Sequence, residues 1–153
     1  MKSFETVGDI VDNAIAIHRG AEQLFRGLRA QTADTRAQML LDYMIKHEQQ
    51  METSVHNLRR SGSQGVLGTY IQYTLEEAPG AYLASLSESF PDPTADQVCD
   101  IGLRLDGYLV ELFEGARKEI DAPKAMDFLQ DLMDLEALER RKLSQTLNSL
   151  HDL

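Results

Sequence analysis

The chain has 153 residues, 42% hydrophobic and 26% charged, which fits one globular domain spanning 1–153 with enough core to fold alone and argues against wholesale disorder. Its 25 acidic and 15 basic residues give a net charge of −10, which disfavours nucleic acid and anionic membrane surfaces, since both select clustered Lys and Arg. No apolar run approaches a membrane span or a signal-peptide core, and the one cysteine, Cys99, excludes an internal disulfide and a Cys-x-x-Cys knuckle, so a cytoplasmic location is expected.

The first predicted helix, about residues 7–30, opens on the capping box Thr6-Val7-Gly8-Asp9. It carries Val7, Val11, Ala14, His18, Ala21, Phe25 and Leu28 on one stripe. The second, about 35–60, starts at Asp34 or Thr35 and aligns Ala37, Leu41, Met44, Glu48, Met51, Val55 and Leu58. Residues 61–93 change character. Ser61-Gly62-Ser63-Gln64-Gly65 is a flexible break and Pro91-Asp92-Pro93 a stiff one, with short helices expected at Thr69–Ala78 and Ala81–Ser87, broken at Pro79-Gly80. The third long helix, about 95–118, opens on Thr94-Ala95-Asp96-Gln97 and aligns Ala95, Cys99, Gly102, Asp106, Leu109, Phe113 and Ala116. The fourth, about 122–150, follows Asp121 with Pro123 just inside its start. It aligns Ala125, Leu129, Leu132, Glu136, Glu139, Leu143, Thr146 and Leu150.

Alternating steps of three and four make the narrow seams of helices packed nearly parallel in a bundle. Short joints near Ala33 and Asp121 predict two antiparallel hairpins, 7–60 and 95–150, and the 61–93 segment is long enough to cross the bundle between them. The hairpins are related by a weak repeat. Residues 24–48 moved forward by 88 positions match seven of 25 residues, among them Leu24/Leu112, Phe25/Phe113 and Glu48/Glu136. His18 to Glu48 and Asp106 to Glu136 are each 30 residues apart, which places all four roughly 22 Å from their turns at 1.5 Å of rise per residue. Four ionisable groups therefore meet at one level inside the bundle, where unpaired charge is costly.

These hairpins, "His18…Leu24-Phe25" and "Asp106…Leu112-Phe113" with a glutamate 30 residues after each polar residue, resemble the ferritin-like superfamily, most of all rubrerythrin-type proteins. The resemblance implies an all-α ferritin-like four-helix bundle, two antiparallel hairpins joined by a long crossover containing short helices. That superfamily holds two iron or manganese ions with a glutamate on helices 1 and 3 and Glu-x-x-His on helices 2 and 4. Here His18 and Asp106 stand at the two glutamate positions, and Met51 and Glu139 at the two histidine positions. Glu48 and Glu136 would bridge, and His18, Asp106 and Glu139 would be terminal ligands, for one or two ions of iron or manganese. The implied function is redox chemistry or metal handling, with a separate redox partner because no rubredoxin-type cysteine module is present. The alternative is a non-catalytic bundle with a vestigial site, in which His18 pairs with Glu48 or Glu136 and the protein acts as an oligomeric or partner-binding module.

Remaining candidates have simpler explanations. Glu22 and Glu52 match Val110 and Arg140 in the repeat, so half a site is missing and a solvated flank is expected. His47, His56 and His151 are expected at the surface. Tyr70, Tyr73 and Tyr82 could cap the site, although core or subunit packing accounts for them, and Cys99 is expected to be an inert thiol. Val66, Leu67, Tyr70, Ile71 and Tyr73 form an apolar stretch in the crossover, which motivates a homodimer.

Overall fold

The computed structural model describes residues 3–73 and 78–151. In chain order the elements are β1 (Ser3–Thr6), α1 (Val7–Gln31), α2 (Thr35–Ser61), α3 (Gln64–Leu67), β2 (Tyr70–Tyr73), α4 (Pro79–Ser89), α5 (Ala95–Lys118) and α6 (Pro123–His151). The long helices begin where side chains can satisfy the orphan backbone N–H groups of a first turn. Thr6 and Asp9 form a reciprocal capping box at 3.1 and 3.0 Å. Asp34 accepts from the Arg36 and Ala37 amides, and Thr94 with Gln97 repeats the box at α5. Pro123 is the first residue of α6.

The core shows how the helices run. One apolar cluster joins the start of α1 (Val7, Ile10, Val11), the end of α2 (Val55), the end of α5 (Leu112, Phe113, Ala116) and the start of α6 (Ala125, Leu129). The other joins the end of α1 (Phe25, Leu28), the start of α2 (Ala37, Leu40, Leu41), the start of α5 (Ala95, Val98) and the end of α6 (Leu143, Leu147). Hence α1 is antiparallel to α2 and α5 to α6, while α2 and α5 run the same way. The crossover makes this possible. Ile71 of β2 packs in the first cluster and Leu86 of α4 in the second, so the 61–93 segment traverses the bundle from one end to the other.

The crossover differs in detail from the sequence expectation. Tyr70–Tyr73 is a strand, paired antiparallel with β1 in the register Ser3↔Tyr73 to Thr6↔Tyr70, where a helix over Thr69–Ala78 was expected. Residues 74–77 lie outside the described residues. The alternation is visible in burial, with Ile71 1% and Tyr70 76% exposed, as a two-faced strand requires. Pro79 and Gly80 open α4 instead of breaking a helix, because a first-turn proline forfeits only an N–H that has no helical partner. The apolar stretch that motivates a homodimer is largely covered: Ile71 is buried, and Val66 and Leu67 pack half-buried against the first cluster. Tyr70 alone of those described stays exposed; the Tyr73 side chain lies outside the described residues.

Candidate metal centre

Between the two apolar clusters lies a layer of five buried polar side chains: His18 on α1, His47 and Glu48 on α2, Asp106 on α5 and Glu136 on α6. None is more than 5% exposed. His18, Glu48, Asp106 and Glu136 each occupy the place on their helix where the next apolar residue of the seam would fall, and His47 lies beside that seam. Ala14 and Ala21, one turn either side of His18 and both buried, leave room for the imidazole.

His18 spans the bundle. Its Nδ1 lies 2.6 Å from Glu48 Oε2 and its Nε2 2.8 Å from Glu136 Oε1. Carboxylates accept, so both ring nitrogens donate and the ring is an imidazolium. Burial by itself would lower the His18 pKa. The charges of Glu136 and Glu48 and their hydrogen bonds outweigh it and hold the pKa well above the usual 6.5.

A second set of groups faces the same layer. His47, Glu48 and Asp106 each bring one ligand atom to within 4.8 Å of the others. His47 Nε2, Asp106 Oδ2 and Glu136 Oε2 are buried with no hydrogen-bond partner. Burial, then repulsion from Glu48 and Glu136, pushes the Asp106 carboxyl up to about 8. Burial pushes His47 the other way, below 6.5, against the pull of Glu48, and the charge on His18 adds to the lowering, so its ring is neutral and a nitrogen lone pair is available. Tyr43, one turn earlier on α2, stacks on the His47 ring at a centroid distance of 6.4 Å and an interplanar angle of 16°.

Of the residues singled out in the sequence, His18, Glu48, Asp106 and Glu136 are brought together. Glu139 is half-buried on α6, 3.4 Å from Lys142 Nζ, and its charge reaches His47, whose pKa it acts to raise. Met51 is buried at the position of the superfamily's helix-2 histidine. His47, expected at the surface, is 5% exposed and supplies an imidazole one residue before Glu48. The signal for it was the spacing Leu40, Met44, His47, Met51, buried positions that widen the seam on one side. His56 is partly exposed, 3.9 Å from Glu52, and the His151 side chain lies outside the described residues. Glu22 and Glu52 are flank residues bound by Arg26 and Arg19. Tyr82 stacks on Tyr108 at 4.5 Å, and Cys99 is half-buried, its pKa raised by burial.

The four-helix bundle has a counterpart among solved structures. Over 94% of this chain and 95% of the other, the structure is similar, with a TM-score of 0.56 and 16% identity, to a Thermotoga maritima protein described as a candidate ferritin-like diiron-carboxylate protein. The fold is ferritin-like. No family model and no curated protein matches the sequence.

The donor set fits a metal ion. Hard divalent ions of iron or manganese take carboxylate oxygen and imidazole nitrogen, and the layer offers three carboxylates and a neutral imidazole, with the orphaned atoms of His47, Asp106 and Glu136 among them. Ligands left dry and unpaired cost free energy, which an ion would recover.

Proposed function

We propose that this is a ferritin-like metal-binding protein that holds divalent iron or manganese at mid-bundle. Glu48, Asp106, Glu136 and His47 are the ligands. The observation that carries this function is the set of buried donor atoms on three helices with nothing to bind. The likeness to a protein described as a diiron-carboxylate protein supports iron over other metals. An ion bound there would supply one-electron redox chemistry. The protein's own part is to keep water out with an apolar cluster on either side, to hold the His47 ring against Tyr43, and to offset the carboxylate charge with His18. Metal handling or redox turnover with a separate donor both follow from such a site. Among the described residues no helix is long and apolar enough to cross a membrane.

A second function is favoured by one specific contact. His18 bridges Glu48 and Glu136, which alone would satisfy half the layer without metal and leave a non-catalytic, partner-binding bundle. Metal analysis of untagged protein from iron- and manganese-supplemented cells, followed by anaerobic titration of the stripped protein, separates the two. Metal that co-purifies and rebinds, and is lost in Asp106→Asn, supports the site. Protein that stays empty and takes up no ion establishes the metal-free bundle.

A further inference from the structure

We infer that the His18 side chain stands in for a second metal ion, so that this bundle holds one ion per chain where its resemblance to a two-ion superfamily implies two. The inference presupposes the metal-binding function proposed above and concerns how many ions that site takes.

The geometry assigns His18 the position of a bridging cation. Its two nitrogens reach carboxylates on two different helices, Glu48 on α2 and Glu136 on α6, at 2.6 and 2.8 Å. Neither nitrogen is then free to coordinate, so His18 is not a ligand in this arrangement. It is 1% exposed, and Glu48 and Glu136 are equally buried, so water cannot readily take its place between them. The groups left over form a small set without it: His47, Glu48 and Asp106, whose ligand atoms lie within 4.8 Å of one another, with the unpartnered Oε2 of Glu136 in the same layer.

Two donors that the resemblance implies for a second ion are absent. The first-helix carboxylate has become His18, and Met51, a poor ligand for hard ions, fills the helix-2 nitrogen position.

The test counts ions. Wild type, His18→Glu and His18→Ala are stripped, reloaded with manganous ion under anaerobic conditions, desalted and measured for metal per chain. Electron paramagnetic resonance of the loaded samples distinguishes an isolated manganous ion, with resolved hyperfine structure, from a spin-coupled pair. Wild type should bind one isolated ion. His18→Glu, which restores a carboxylate on α1, should bind two, coupled. His18→Ala guards against misfolding of the more acidic variant; it opens the same space without adding charge and should also take a second ion, more weakly. Two coupled ions in wild type overturn the role of His18 and leave metal binding intact. One ion in wild type and in every variant that folds also overturns it. No ion in wild type overturns the metal-binding function itself.

Discussion

Arg19 Nη2 lies 2.7 Å from Glu52, closing the α1–α2 flank beside the polar layer, whereas its counterpart in the second hairpin, Gly107, has no side chain and leaves a hollow of about 380 Å³. The hollow lies among Tyr82 of α4, Leu103, Gly107 and Tyr108 of α5, and Arg140 of α6. Arg140 replaces Glu52 in the repeat, and its charge partly offsets the upward push on the neighbouring Asp106. The two flanks of one pseudo-symmetric bundle are thus built differently, one sealed by ion pairs and one open.

That difference predicts opposite responses to the same substitution on one helix. A Cβ at Gly107 meets nothing within 4 Å, so Gly107→Ala gains helix propensity at no steric cost and should stabilise by up to about 1 kcal/mol. A Cβ at Gly102 would lie 2.9 Å from Met44 Cε, inside the core. Gly102→Ala must push that side chain aside, and overpacking of about 1–3 kcal/mol should cancel or exceed the propensity gain. Urea denaturation of the two variants against wild type reads both signs.

Glu136 is the acceptor for His18 Nε2, and removing it leaves a buried imidazolium with a single partner. Glu136→Ala should cost about 3 kcal/mol in metal-free protein, as breaking buried ion pairs does. Glu136→Gln keeps an acceptor oxygen of similar size and should cost clearly less. If the two variants unfold at the same urea concentration, the hydrogen bond to Nε2 is not what holds His18.

The pH dependence of the metal-free protein follows from two raised groups, Asp106 and His18, and one lowered group, His47. Asp106 has a folded value of about 8 against an ordinary 3.8, so the folded state favours its proton, and stability falls as pH climbs from the lower value to the higher. His18 acts in the same sense. Its contribution is complete below 6.5 and is lost as pH rises through its raised folded value. His47, whose folded value is lowered, acts in the opposite sense and offsets Asp106 below 6.5, so melting temperature in chelator should drop between about pH 6.5 and pH 8, with one group contributing at most about 1.4 kcal/mol per pH unit. Asp106→Asn should flatten the profile. A wild-type curve that rises over this range contradicts the assignment.

Much of this was legible in the sequence because it is local. Caps such as Thr6–Asp9 and Thr94–Gln97 are written within four residues, and all seven first-helix seam residues from Val7 to Leu28 are buried. The level of His18, Glu48, Asp106 and Glu136 followed from equal distances to the turns. The β1–β2 pair was not legible, since two four-residue strands separated by three helices carry too short an alternation to stand out. His47 was missed because a narrow seam was assumed, whereas α2 buries a wider face that includes Leu40 and Ile45. That His18 uses both nitrogens on carboxylates is a tertiary fact, fixed by the rotamer of one ring between three helices.

His47 carries the sharpest test of the ligand set. Its imidazole is neutral, nine-tenths buried or more, stacked on Tyr43, and has an unpartnered Nε2. His47→Ala should weaken manganous or ferrous binding at least tenfold, because the layer then offers no free nitrogen donor, His18 being held by Glu48 and Glu136. The same substitution should change metal-free stability modestly, since the lost ring makes no hydrogen bond through Nε2 and the cost is that of the packing lost with it. Tyr43→Leu keeps the nitrogen but removes the stacked face, and should weaken binding less than His47→Ala does. Anaerobic calorimetric titration of the three proteins gives the order. If His47→Ala binds as tightly as wild type, the nitrogen comes from elsewhere, and His18 must leave one of its carboxylates to provide it.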